Sequence, residues 1–231
     1  NHAAKLRYMS NGQIEVPLVL RTVTGGGAQL GATHSQSFEG WLASVPGLKV
    51  VCPSTPKDAL GLFRTSMKQK DPVVFAEHAL LYGVRGDVPD KFYEIPFGKA
   101  DIKRPGNKVT IISYSGMVRT CIQASEFLSK NFNFECEVID LRTLRPLDFE
   151  TIIKSVKKTG RAVVVEEAWK TGGFGANISE TIQLEAFDYL DSPVIRIASE
   201  DVPAPYNRKL ELDTMPSEQK IVTAIKQNFS I

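Results

Sequence analysis

Val109-Thr-Ile-Ile-Ser113-Tyr-Ser-Gly-Met-Val118-Arg-Thr-Cys121-Ile122-Gln-Ala-Ser125 is the stretch that decides the fold. Its first five residues form a continuous apolar run of strand length. Val118, Cys121, Ile122 and Ser125 then recur at i, i+3, i+4 and i+7, which is the spacing of one helix face. Reading outward, the same alternation repeats. Cys136 to Ile139 reads as a strand, and Phe149, Ile152, Ile153 and Val156 as a helix face. Ala162 to Val165 is a strand, residues 175–186 a helix and Val194 to Ile197 a strand. Ile221, Ala224, Ile225 and Phe229 give a terminal amphipathic helix. The strands are apolar throughout rather than alternating, so both of their faces are buried. That pattern predicts an α/β protein with a parallel sheet covered on both sides.

The N-terminal part carries the same signals. Val16 to Leu20 reads as a strand interrupted at its start by Pro17, and a long loop with Gly25-Gly-Gly27 follows. Residues 35–44 read as a helix, Leu48 to Val51 as a strand and Pro72 to Phe75 as another. Between the last two, Ser54-Thr-Pro-Lys-Asp58 predicts a helix start. Thr55 can cap, Pro56 fits the first turn, and Asp58 suits the positive end of the helix dipole. Residues 84–106 concentrate glycine and proline among charges and mark the domain boundary. The expected division is 1–90, a connection over 91–106, and a second domain over 107–231.

The chain has 231 residues, 42% of them hydrophobic and 23% charged, the balance of a globular protein. Lysine and arginine total 28 against 26 acids, a net charge of +2. So near neutrality, neither nucleic acid nor an anionic membrane is indicated as the main partner. No apolar run approaches the roughly 20 residues of a membrane span. Cys52, Cys121 and Cys136 are an odd and scattered set, read as core thiols. The chain starts at Asn1 with its first methionine at Met9 and has no apolar leader core. It is therefore expected to be a processed or cut form of a longer polypeptide.

Local chemistry singles out few residues. His34 follows a glycine-rich loop and precedes a helix, a place from which an imidazole can exchange protons with a bound molecule. A hydrogen-bonded structural histidine is the competing reading. His2 and His78 have no neighbour at metal-ligand spacing. Gly172-Gly-Phe-Gly175 partly matches a phosphate-binding turn, but Ile178 stands where the last glycine belongs, so a tight turn is the better reading. Arg142 and Arg145 suit an anion or a facing subunit. Glu166 and Glu167 end an apolar strand but point to opposite sides, which disfavours a two-carboxylate mechanism.

A set of ordered motifs carries more than any of these. His34-Ser-Gln, Val45-Pro-Gly-Leu-Lys-Val-Val51, Pro53 with Asp58-Ala, Asp71-Pro-Val-Val and Leu81-Tyr-Gly83 belong to it. So do Asp140-Leu-Arg-Thr-Leu-Arg-Pro146 and Asp201-Val-Pro-Ala-Pro-Tyr206. Over the whole chain this set resembles the beta subunit of the thiamine-diphosphate-dependent 2-oxo acid dehydrogenase component. The pyruvate dehydrogenase type is nearest and the branched-chain type close behind.

The resemblance implies a partial pyrimidine-binding domain over 1–90, then a transketolase C-terminal-type α/β domain over 107–231. It implies oxidative decarboxylation of a 2-oxo acid on thiamine diphosphate and acylation of a lipoyl group, with His34 in acyl transfer. Magnesium and the diphosphate fall to an alpha partner. The glutamate that activates the aminopyrimidine ring lies upstream of Asn1 in family members, so no residue here inherits it. Leu18, Ser66, Gln69 and Asp71 match positions of a structural potassium ion held largely by backbone carbonyls.

Implied partners are the alpha subunit, a second beta chain, and the lipoyl and peripheral subunit-binding domains of the acyltransferase. Asp191 and the carboxylate of Ile231 match positions that meet the latter. The implied location is a bacterial cytoplasm, a mitochondrial matrix or a plastid stroma. The alternatives are the branched-chain type, an alpha–beta fusion, a non-catalytic dimerisation and docking module, and another thiamine-diphosphate enzyme such as a transketolase.

Overall fold

A computed structural model describes residues 1–231. It contains two sheets. The first has strand order β1 (Val19–Thr24), β3 (Val73–His78), β2 (Lys49–Val51), β7 (Thr143–Arg145). β1 and β2 run parallel to β3, and β7 is antiparallel to β2. The second has order β4 (Asp101–Arg104), β6 (Cys136–Asp140), β5 (Val109–Ser113), β8 (Ala162–Trp169), β9 (Ile195–Ser199). It is parallel except for the edge strand β4.

The second sheet is covered as its apolar strands require. Val109, Ile111, Val138, Val163 and Val165 face α4 (Met117–Phe132) and α8 (Glu218–Phe229). Ile112, Ile139 and Val164 face the other way, towards α5 (Phe149–Thr159) and α6 (Gly175–Ala186). Asn133 and Gly160, both in the left-handed region, end α4 and α5.

The first sheet has no such layering of its own. On one side Val51, Val73 and Phe75 pack on Leu62 of α3 (Pro56–Ser66) and on Ile95. On the other, Val50, Cys52, Val74 and Ala76 join the core that also contains Ile112, Ile139 and Val164. The C-terminal half thus supplies the second cover for the N-terminal strands, and also the strand β7.

Thr55 caps α3 by accepting from the Asp58 amide at 3.1 Å, with Pro56 in the first turn, as the sequence requires. Other elements differ from the sequence reading. β1 lies three residues further on than Val16–Leu20, because Pro17 has no amide hydrogen to give a ladder. α2 is only Glu39–Ala43. The 91–106 segment is more than a connection: Ile95 is buried against Gly61, and β4 begins at Asp101.

A buried ionic network joins the halves. Arg142 donates to Asp58 and Asp101 at 2.8 Å, and Lys103 reaches the same two carboxylates at 2.8 Å. Arg145 donates to the Ala43 carbonyl. Of the two arginines read as anion or subunit contacts, Arg142 is therefore paired within the chain, whereas Arg145 has a carbonyl partner, no carboxylate, and lines a cleft.

Candidate active site

The glycine loop after β1 places His34. Gly25, Gly27, Gln29 and Gly31 all have positive φ. A Cβ at Gly25 would sit 2.4 Å from the His78 ring, so only glycine fits there. The Gly25 amide donates to the Gln36 carbonyl at 3.0 Å and closes the loop, and the His34 amide donates to Gly31 at 3.2 Å. His34 itself is exposed. It stands between Ala32 and Gln36, which line an open cleft of about 560 Å³ with Trp169, Thr171 and Asp201. Trp169 stacks on Trp41 with centroids 6.2 Å apart. Gln36 of the His34-Ser-Gln motif and the Asp201-Val-Pro motif, far apart in sequence, thus meet at one cleft, with His34 itself on the turn beside it rather than in its lining.

Beneath the loop lies a buried polar cluster. His78 ends β3 and Glu167 is on β8; their side chains are 3% and 8% exposed and their Nε2–Oε2 distance is 2.7 Å. The Leu80 amide donates to Nδ1 at 3.2 Å, which in the neutral ring assigns the hydrogen to Nε2 and makes it the donor to Glu167. Burial by itself would lower the His78 pKa, but the Glu167 hydrogen bond and charge outweigh it and raise it. Burial pushes Glu167 up, and His78, the Gly26 amide and Ser37 together hold it below its ordinary value. The Gly26 amide is 2.5 Å from Glu167 Oε1 and the Ser37 hydroxyl 3.2 Å.

Glu39 completes the cluster. Burial raises its pKa to about 7, against a hydrogen bond from Thr24 at 2.5 Å and with the Glu167 charge adding to the rise. Its Oε2 has no partner. A folded pKa above the unfolded one means the native state binds the proton more tightly. The contribution of Glu39 to stability therefore falls as pH rises from about 4.5 to about 7 and is flat beyond. Glu39→Gln keeps the acceptor for Thr24 and removes the charge. We expect it to stabilise the chain at pH 8 by about 2–3 kcal/mol, with the gain vanishing near pH 4.5. Urea unfolding followed by tryptophan fluorescence at the two pH values checks this.

The glycines at 172–175 have a different task from phosphate binding. The Gly175 amide donates to Glu166 Oε2 at 2.8 Å, and a Cβ at Gly173 or Gly175 would meet that carboxylate at 2.7 or 2.4 Å. Glu166 also pairs with Arg196 at 2.6 Å. The N-terminus of α6 thus already holds an anion, and no diphosphate fits there. No group of three or more His, Cys, Asp or Glu side chains is placed to hold a metal ion. Glu166 and Glu167 do point to opposite sides, one to α6 and one to the glycine loop.

The four residues matched to potassium share one corner. Leu18 O accepts from Val73 at 2.8 Å and Ser66 O from Gln69 at 3.2 Å. The side chains of Gln69 and Asp71 are engaged by Lys49, and Asp71 also by Arg7 at 2.9 Å. Asp191 pairs with Arg161 at 3.5 Å, and the Arg161 guanidinium lies over Phe229, two residues before Ile231. One arginine therefore touches Asp191 and the last residue of α8. All three cysteines are free and buried.

Comparison with known proteins bears on the family and the fold. The transketolase pyrimidine-binding domain model matches residues 1–84, and the transketolase C-terminal domain model matches 98–221. A pyruvate dehydrogenase E1 component subunit beta from Rickettsia conorii is 47% identical over 98% of this chain and 69% of its own length. The chain belongs to the pyruvate dehydrogenase E1 beta-subunit family. Within that family, a mitochondrial subunit beta-2 of Oryza sativa is 48% identical over 98% of this chain and 61% of its own length. A mitochondrial subunit beta of Dictyostelium discoideum is 46% identical, over 98% and 65%. These relatives include bacterial and mitochondrial proteins, and no helix here is long and apolar enough to cross a membrane.

The fold is shared with a solved split-gene transketolase, titled an inactive beta4 tetramer, at TM-score 0.74 and 20% identity. The match covers 99% of this chain and 73% of that one. Sequence reading had no access to Glu39, His78 and Glu211 as members of the site. The nearest signal was Glu166-Glu167 at the end of an apolar strand, where acids need a buried partner.

Proposed function

We infer that this chain is the beta part of a pyruvate dehydrogenase component that decarboxylates pyruvate and passes the acyl group to a lipoyl domain. The observation that supports it is that Ala32 and Gln36, on either side of His34 in the chain, line one open cleft with the Asp201-Val-Pro segment within a chain of this family. Bound thiamine diphosphate supplies the carbanion chemistry. Because the α6 N-terminus is filled by Glu166, the diphosphate and its magnesium are assigned to an alpha subunit. Ring activation is assigned to a glutamate outside these residues. The role of this chain is to present His34, whose imidazole donates a proton to a sulfur of the incoming lipoyl group.

The test is turnover by the full-length beta chain assembled with its alpha subunit. A kcat/KM for pyruvate at least about tenfold above that for 3-methyl-2-oxobutanoate is expected. The opposite preference moves the chain to the branched-chain type.

Potassium is a second element of the reading. Each of the Leu18 and Ser66 carbonyls retains a lone pair for a monovalent cation, but the Lys49 ammonium already holds the Gln69 and Asp71 side chains, so potassium would have to displace it. Binding to the native state alone raises stability by about 2.7 kcal/mol at a hundredfold excess over Kd. The thermal midpoint is therefore expected to be higher in potassium chloride than in choline chloride at equal ionic strength. Equal midpoints remove the ion from the account. Asp191 and Ile231 are assigned to the acyltransferase's peripheral domain, at a surface formed with a second beta chain.

A further inference from the structure

The glycine loop is held from outside itself. Three of its amides point at two carboxylates of the C-terminal half: Gly26 at Glu167 Oε1 (2.5 Å), Gly27 at Glu211 Oε1 (2.9 Å) and Gln29 at Glu211 Oε2 (3.0 Å). Glu211 sits on α7 (Arg208–Thr214), more than 180 residues along the chain, and is fully buried. No basic side chain lies within salt-bridge distance of it, so the two loop amides are its polar partners. The alternation of left-handed residues at Gly25, Gly27 and Gln29 turns successive amides to one side, the arrangement that receives an anion. Here the anion is built into the protein. The loop leads within five residues from Gln29 to His34, and Ser37 beyond it bonds to Glu167, so carboxylates hold both ends of the turn.

We propose that Glu211, with Glu167, is a positioning residue for acyl transfer: it fixes the loop that carries His34 through backbone amides and touches no substrate. The inference rests on the reading of His34 given above. Both oxygens of Glu211 accept, so an isosteric glutamine sets an NH₂ against one loop amide and loses that bond.

The test uses the full-length beta chain assembled with its alpha subunit and saturated with thiamine diphosphate. In Glu211→Gln, amide exchange of a peptide spanning 25–34 should accelerate at least about tenfold while α4 peptides keep their protection. Acylation of a free lipoyl domain should fall at least about tenfold, and cofactor affinity should stay within about twofold. The double variant His34→Ala/Glu211→Gln should be no slower than His34→Ala, because both changes act through one side chain. Glu211→Asp, which keeps the charge but withdraws both oxygens, gives the same readouts if the glutamine variant does not assemble.

Unchanged loop exchange overturns the proposal whatever His34 does. Faster exchange with full acylation overturns it too, as does an additive loss in the double variant. If His34→Ala alone leaves acylation intact, the reading of His34 has failed and this inference with it, a result visible in the single variant.

Discussion

His34→Ala in the assembled enzyme is expected to slow acylation of the lipoyl domain by roughly 10²–10⁴-fold, the range of a lost general acid. Thiamine diphosphate affinity should change little. His34 is exposed on a loop, its backbone amide is satisfied by Gly31, and the buried cluster beneath contains His78 rather than His34. Removing the imidazole leaves no buried group unpaired, so no structural cost is expected to mix with the kinetic one. Cofactor titration and a single-turnover lipoyl assay on the same preparation separate the two. Equal losses in both would count against a role in acyl transfer.

Glu167→Ala carries the largest expected effect on stability, about 3–5 kcal/mol, the usual cost of taking one partner from a buried ion pair. Its removal orphans the His78 ring hydrogen, the Gly26 amide and the Ser37 hydroxyl together. The pH dependence has a definite sign. Glu167 has a lowered folded pKa, so its contribution is present above the unfolded value and is lost as pH falls through the folded one. His78 has a raised folded pKa, so its contribution is full below the unfolded value and is lost as pH rises through the folded one. The difference between wild type and Glu167→Ala should therefore be greatest in the mildly acidic window between the two unfolded values. It should shrink as pH rises past the folded pKa of His78, retaining the part due to neutral hydrogen bonds. Urea midpoints across that range check it.

The legible parts of the molecule are those whose cause is local. The cap, proline and acid at Thr55, Pro56 and Asp58 start α3 without reference to anything distant. The apolar runs at Val109, Cys136 and Ala162 required two covers, and the helices beside them provided both. β4 and β7 were not legible. Each is a short antiparallel edge whose pairing is set by β6 or β2 rather than by its own periodicity.

The site divides the same way. His34 is visible as a loop histidine, and its role in acyl transfer is what the resemblance of the ordered motifs implies. Nothing in the local sequence marks Glu39 or Glu211. Their burial comes from Thr24, fifteen residues away, and from loop amides more than 180 residues away. Arg142 looked available to a partner because Asp58 and Asp101, which pair with it, are remote in sequence.

The central claim is that this chain supplies the acyl-transfer histidine of a pyruvate dehydrogenase component. Its most direct test is transfer of a labelled acetyl group from pyruvate to a free lipoyl domain. The assay uses the full-length beta chain with the alpha subunit, thiamine diphosphate and magnesium. Transfer that requires both subunits and is abolished by His34→Ala is the predicted result. Transfer undiminished in His34→Ala, or none from the wild-type assembly while it still consumes pyruvate, would contradict the account.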